Sequence, residues 1–381
     1  MSEYSIPLFE LNFGDEEAEA VSATIRSGWI SMGPRVAEFE ARFAAELKIK
    51  HAVAVNSCTA ALHLAISMLV GEGEEVILPS MTFVATVNAV RYAGAKPVFA
   101  DIIGLGDLSI DPVDVRKKIT PRTKAILPMH YAGFACDMGA LRGIAKEYDL
   151  FVLEDAAHAP GSFYGEERCG TIGDIGCFSF FSNKNISCAE GGMLVTDNDA
   201  NAARARLMRS HGMTSVSYER ASGHATSYDV VELGYNYRLD DIRAALALTQ
   251  LKKLATDLEK RRDLRKQYEN NLRGIEGITT PYSDWAHRSS NYILPIVLQT
   301  GGVARRDAIR VSLADRGIQT SIHYPAVHRF SIYKDDAVEL PVTEHVADNE
   351  ITLPLFGSMS NRQVRQVTDA LAQAVRDNPA K

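Results

Sequence analysis

Several kinds of protein are excluded by what this 381-residue chain has little of. Its five cysteines (58, 136, 169, 177 and 188) are scattered, without a C-x-x-C pair. That leaves neither a disulfide framework nor a zinc site to expect, no metal centre is read elsewhere, and the pattern fits a reducing cytoplasm. No stretch approaches eighteen consecutive apolar residues, and the start, Met1-Ser-Glu-Tyr-Ser-Ile-Pro7, has neither a basic nor an apolar leader region. A membrane span and a secretion signal are therefore not expected, and the protein reads as cytoplasmic. Lys and Arg number 41 against 48 Asp and Glu, a net charge of −7. Such a chain has no general attraction for nucleic acid or an acidic membrane, so any phosphate must be held locally. Neither G-x-G-x-x-G nor G-x-x-x-x-G-K-[ST] follows any apolar run, which removes the main support for dinucleotide and P-loop readings. Internal repeats and low-complexity tracts are also missing.

What is present is an alternation. Short β-rich runs occur at 51–55, 75–78, 97–100, 124–128 and 151–153, with helical patterns at 59–70, 82–93, 112–119 and 137–147 between them. Continuous apolar strands alternating with helices predict an α/β fold whose mainly parallel sheet is covered on both faces, a three-layer α/β/α arrangement. In such sheets ligands sit at the carboxyl ends of strands. Further apolar strands are expected at 177–181 and 193–196, a long polar loop at about 211–231, and a long helix from about Asp240 to Asn271. Beyond it, strands at 292–298 and 319–324 and helices at 303–316 and 360–376 predict a small α+β unit. The division expected is a large domain over 1–250 and a small carboxyl-terminal domain over 251–381.

The chain is organised around Cys177-Phe-Ser-Phe-Phe-Ser-Asn-Lys184, followed by Gly191-Gly192 and a second apolar run. A lysine at the mouth of two buried strands loses hydration, which disfavours its charge and prepares the amine to attack a carbonyl. The working hypothesis is that Lys184 holds pyridoxal 5′-phosphate (PLP) as a Schiff base; the plain alternative is a surface lysine on a turn. Asp155 closes an apolar run and needs a partner if buried, which a protonated pyridine nitrogen would supply, although it could equally cap the next helix. His158, three residues on, shares its helical face and reads either as a ring contact or as a core histidine. Ser57 and Thr59 precede a helix whose free N–H groups suit a phosphate, yet ordinary capping explains them too. Phe83 could stack on a planar ring or pack in the core. Thr59, Phe83, the pair His130/Tyr131 and Asp155 fall on four of these five strand ends, and the coincidence carries more than any one of them.

Together these stretches resemble the DegT/StrS family of sugar-nucleotide aminotransferases, fold-type I PLP enzymes. The likeness rests on Ser80-Met-Thr-Phe-Val-Ala-Thr86, His130-Tyr-Ala-Gly133, Glu154-Asp-Ala-Ala-His-Ala159, Phe178-Ser-Phe180 with Lys184 and Glu190-Gly-Gly192, and Gly234-Tyr-Asn-Tyr-Arg-Leu239. The resemblance implies that Lys184 carries the cofactor and that Asp155 pairs with its ring nitrogen. It further implies that Phe83 stacks on the ring, that His158 lies near its phenolic oxygen, and that Thr59, the backbone of Ala60, and Ser179 hold the phosphate. Asn236 would reach the phosphate from a neighbouring subunit, so a homodimer with shared sites is expected. The implied reaction transfers an amino group from glutamate to a keto-deoxysugar, most often nucleotide-linked. Trp29, Ile30, Tyr131, His323 and Tyr324 are candidate acceptor contacts, His323 being equally readable as a packed strand histidine. A free keto-sugar acid or keto-cyclitol is the alternative acceptor, and a non-catalytic cofactor-binding regulator the alternative outside enzymes. Phe181-Ser-Asn183 departs from the residues that commonly precede this lysine, while Lys184 itself disfavours the dehydratase branch, which has His there.

Overall fold

A computed structural model of the chain describes residues 4–214, 227–283, 285–335 and 338–380. Its centre is a seven-stranded sheet of β1 (His51–Val55), β2 (Glu75–Pro79), β3 (Lys96–Ala100), β4 (Thr123–Ile126), β5 (Phe151–Asp155), β6 (Ile175–Ser179) and β7 (Gly192–Thr196). The spatial order is β1-β7-β6-β5-β4-β2-β3. Only β7 runs against its neighbours; the pairs from β6 through β3 are parallel. Nearly every residue of these strands is buried, as a sheet covered on both faces requires. Helices α1 (Asp15–Arg26), α2 (Pro34–Leu47), α3 (Cys58–Leu69), α4 (Val84–Tyr92), α5 (Pro112–Lys118), α6 (Met138–Tyr148) and α7 (Asp199–Met208) accompany the sheet.

The connections begin where the sequence stops them. Ser57 caps α3 by accepting from the Ala60 N–H at 3.1 Å, and Asp137 caps α6 by accepting from Ala140 N–H, also at 3.1 Å. Gly192 opens β7 because a Cβ there would lie 2.4 Å from the carbonyl carbon of Ser57. Its lack of a side chain lets the start of α3 sit directly against the strand.

Helix α8 (Asp241–Leu272) joins two cores. Ala244, Ala247, Leu248 and Leu254 pack with α2 and β6, whereas Leu264, Tyr268 and Leu272 pack with the carboxyl-terminal elements. The Asp241 carboxylate also caps α2, accepting from the N–H groups of Gly33, Arg35 and Val36 at 2.9, 3.2 and 3.0 Å. The second core is a three-stranded antiparallel sheet of β8 (Ile278–Thr279), β9 (Leu294–Leu298) and β10 (Glu350–Leu353), with α9 (Gly302–Ala314), α10 (Pro341–Asn349) and α11 (Asn361–Asp377). Ile6 belongs to this core and bridges to Ile318, so the amino-terminal arm lies with the carboxyl-terminal unit.

Three expectations are corrected. The run 177–181 is a strand only to Ser179, and it begins at Ile175. The segment 319–324 forms no ladder beyond the single bridge of Ser321 to Thr352, because side chains take its backbone groups at the far end. The His323 N–H donates to the Glu350 carboxylate, and its carbonyl accepts from the Tyr131 hydroxyl. The strand that does complete the small sheet is Glu350–Leu353, with α10 before it; neither is expected from the sequence. Much of the expected loop at 211–231 lies outside the described residues.

Candidate active site

A cavity of about 330 Å³ opens where β1, β2, β5 and β6 end, and the carboxyl-terminal unit closes it from the other side with Tyr292, His323 and Tyr324. That volume suits a small cofactor with part of a substrate. Lys184 reaches it from a turn just beyond β6, its N–H donating to Phe181 O at 2.9 Å. The ammonium nitrogen lies 4.1 Å from the centre of the Tyr292 ring. The lysine is half-buried at the cavity, and the loss of hydration there brings its pKa down to about 7 against the opposing pull of the Asp155 charge. The amine is thus available uncharged near neutral pH.

Asp155 terminates β5, and its carboxylate accepts from the Thr86 hydroxyl at 2.7 Å and from the Ala157 N–H at 3.1 Å. Thr86 has one hydroxyl proton and spends it on Asp155, so it must accept from Thr82, 2.9 Å away. Two neutral-group donors do not offset burial, which raises the Asp155 pKa. A buried carboxylate facing a cavity with this deficit fits a cationic ring nitrogen as its missing partner.

His158 is buried and its pKa falls well below the usual value, through burial first and then the Lys184 charge. The Ala132 N–H donates to its Nδ1 at 3.3 Å, leaving Nε2 to donate to the Tyr324 hydroxyl at 2.9 Å. The Tyr324 proton therefore points elsewhere. The imidazole also lies 4.2 Å from the Tyr292 ring centre. Phe83 is half exposed at the rim, 5.8 Å from Tyr324 between ring centres.

The lining brings together Thr59, Phe83, Asp155, His158, Ser179, Lys184, His323 and Tyr324. It does not contain Ala60, whose N–H is used to cap α3, nor Tyr131, which is buried and supports His323 through its carbonyl. His130, expected on the rim beside Tyr131, turns the other way and bonds Glu154 at 2.8 Å. Trp29, Ile30 and Asn236 lie outside the lining; Ile30 and Asn236 are exposed, and Asn56 donates to the Asn236 carbonyl at 3.3 Å. Residues that sequence reasoning gave no role include Thr86, Asn183 and Tyr292. Thr82 and Thr86 stand four apart, the spacing of neighbours on a helix, which was a usable signal; Tyr292 offered none, being brought in by the second core.

A reactive lysine at a strand exit, a buried aspartate one strand away and a helix amino terminus lining the same cavity define the site of a PLP-dependent transferase built on an α/β fold. The comparisons sharpen the class. Residues 12–372 match the model of the DegT/DnrJ/EryC1/StrS aminotransferase family, and the chain belongs to that family. It is 41% identical to the spore coat polysaccharide biosynthesis protein SpsC of Bacillus subtilis, over 98% of this chain and 97% of that one. The fold superimposes on Spr1654 of Streptococcus pneumoniae, solved in PLP and PMP forms, with a TM-score of 0.91, 29% identity and coverage of 98% or more of each chain. It likewise matches DesI, solved with its TDP-sugar product, with a TM-score of 0.86, 30% identity and coverage of 99% of this chain and 95% of that one. The protein is a PLP-dependent aminotransferase. No described helix is long and apolar enough to cross a membrane.

Proposed function

We propose that the chain transfers an amino group from glutamate to a keto-deoxysugar carried on a nucleotide, in the biosynthesis of a cell-surface glycan, working as a cytoplasmic homodimer with shared sites. The single observation that carries the chemistry is Lys184, lining the same cavity as Asp155 with its pKa lowered to about 7, so that a large share of the amine is uncharged at neutral pH. When bound, PLP supplies an electron sink that stabilises negative charge at the carbon losing its proton. Lys184 would hold the cofactor and, once released, move a proton as base and then acid. Asp155 would keep the ring nitrogen protonated, and His158, neutral and fixed by Ala132, would orient Tyr324 toward the ring. Ser179, Thr59 and the start of α3 would hold the phosphate. Phe83 would cover the ring from the open side.

The acceptor follows from the relatives: SpsC serves polysaccharide synthesis by its name, and DesI binds a TDP-sugar. The dimer is supported by Trp29, Ile30 and Asn236 standing outside the cavity of their own chain. Exposed Tyr228, Val230, Val231 and Leu233 next to Asn236 add an apolar surface of the kind that association buries. The test is a visible absorbance spectrum of the purified protein before and after glutamate, followed by a panel of nucleotide-linked and free ketosugars. Conversion of the cofactor band by glutamate, and its restoration by a nucleotide-linked ketosugar, is expected. Full activity in Lys184→Ala would overturn the assignment, and restoration only by free ketosugars would overturn the nucleotide carrier.

A further inference from the structure

Behind the carboxyl-terminal wall of the cavity stands a fully buried carboxylate, Glu350, with no ion-pair partner among the described residues. It opens β10 and is tied to His323 twice. Its Oε2 accepts from the His323 N–H at 2.9 Å. Its Oε1 lies 2.5 Å from the Thr352 hydroxyl, which in turn lies 2.9 Å from His323 Nδ1. Nδ1 is therefore the nitrogen turned toward Thr352. Nε2 takes no hydrogen-bond partner among the described residues, and His323 lines both the main cavity and a small adjoining pocket bordered by Asn183 and Tyr292.

A hydroxyl has one proton to donate, so the order of protons along this chain can take only two forms. With Glu350 ionised, Thr352 donates to the carboxylate, Nδ1–H donates to Thr352, and Nε2 is a lone pair. With Glu350 protonated, Oε1–H donates to Thr352, Thr352 donates to Nδ1, and Nε2 carries the proton. Oε2 cannot hold the proton instead, because it faces the His323 N–H. Passing from the second form to the first releases one proton at Nε2, breaks the O–H bond of Glu350 and leaves the negative charge on its carboxylate; the imidazole is neutral throughout.

We propose that Glu350 is a positioning residue whose proton, relayed through Thr352, decides whether His323 Nε2 donates a hydrogen bond into the cavity or accepts one. In the donor form Nε2 binds a carbonyl or hydroxyl oxygen of the amino acceptor and can pass it a proton without the imidazole becoming cationic. Two features agree with this. Burial raises the Glu350 pKa to about 8, so the protonated form prevails at neutral pH. Burial, aided by the Lys184 charge, lowers the His323 pKa to about 3, so the ring itself does not charge. The other groups acting on Glu350 are Arg306 and Arg310 of α9, which favour its charge, and Tyr131 and Tyr324, whose ionisation its charge opposes. Arg306 is occupied with Ala347 O and Asp307, and Arg310 with Thr320.

The identity of the oxygen bound rests on the sugar-aminotransferase reading; the proton order does not. The test is a nitrogen NMR titration of the full chain labelled at histidine, with His323→Gln giving the assignment. In the wild type the protonated nitrogen of His323 is expected to change from Nε2 to Nδ1 as pH rises through about 8. Glu350→Gln, whose amide nitrogen must face Thr352 so that its oxygen can still accept from the His323 N–H, should lock the Nε2–H form at every pH. Thr352→Val should uncouple the ring from Glu350, and Thr352→Ser should restore the coupling. In turnover, the acceptor half-reaction should lose rate along a one-proton limb near pH 8 that Glu350→Gln abolishes. A His323 tautomer that stays the same across the titration, or that titrates alike in wild type and Glu350→Gln, overturns the proposal. If no ketosugar is aminated, the sugar reading fails while the NMR result still decides the relay.

Discussion

Glu154 and Asp155 are consecutive, both buried at the end of β5, and point to opposite faces of the sheet. Glu154 collects the N–H groups of Gly170, Ile172 and Gly173 at 2.7, 2.6 and 2.6 Å, together with His130 Nε2 at 2.8 Å. Four donors make it the fastening of the 170–173 loop, which leads into β6 and so toward Lys184. Asp155 has two, and faces the cavity with its charge under-compensated. A carboxylate that is satisfied inside the protein holds structure, whereas one left short is available to a ligand. The strand's period of two residues makes this division possible within a single dipeptide.

The largest effect lies on the Asp155 side. Lys184→Ala should lower amino transfer by about 10⁴-fold or more, since the residue that holds the cofactor and moves the proton is gone; steady-state assay with glutamate and a ketosugar measures it. The next effect separates the two carboxylates. Asp155→Asn should cost about 10²-fold or more in rate, through lost stabilisation of a charged ring nitrogen. Glu154→Gln should instead cost about 3 kcal/mol of stability, because an amide cannot accept from all four donors and leaves a buried N–H facing an N–H. Denaturant unfolding of the cofactor-free proteins checks the second half. Asp155→Asn should there be no less stable than wild type at pH 7, and equal to it at pH 3. The sign follows from the raised pKa: the wild-type carboxyl costs nothing below its ordinary value, and stability is lost as pH rises through the folded one. A stability loss in Asp155→Asn larger than that in Glu154→Gln would reverse the comparison.

Lys184 offers a titration on the same face. Its amine is uncharged above about pH 7 rather than above the ordinary 10.5, so capture of added cofactor by the apoprotein should quicken through pH 7 and then level off. A rate still climbing at pH 9 would mean that burial does not depress the lysine.

The sheet and the strand ends on it were legible because each strand, its turn and its chemistry lie within a few residues of one another. Such local patterns need no distant partner: Leu153-Glu154-Asp155 already reads as a strand with a polar end, and Ser57 reads as a cap. Asp155 is singled out as the residue closing the run, and the resemblance gives it the ring nitrogen, but the four donors that gather on Glu154 come from residues 130 and 170–173 and no local pattern reports them. The carboxyl-terminal wall was far less legible. Tyr292 and Glu350 reach the site because a second core folds over the first, and no local period reports that. The segment 319–324 misled for a physical reason, since it has strand-like composition while its backbone at His323 is claimed by Glu350 and Tyr131. Asn236, Trp29 and Ile30, named as site residues by the resemblance, lie outside the cavity lining of their own chain.

Phe83 gives the smallest effect and tests whether the cavity face is tuned for a ligand down to its rim. The ring is 54% exposed, and Tyr324 is the aromatic it meets. Phe83→Ala removes little buried surface, so the cofactor-free protein should lose no more than about 0.5 kcal/mol, the range of ordinary surface changes. Against a planar ring the same phenyl would contribute about 0.5–1.5 kcal/mol, so cofactor affinity should fall by about 2- to 13-fold at a given pH. Equilibrium binding of PLP to the apoprotein, read beside its unfolding curve, separates the two. Weaker binding with unchanged unfolding places Phe83 with Asp155, among residues whose interactions await a ligand. Unchanged binding with lower stability would place it with Glu154, as a side chain that the protein itself satisfies.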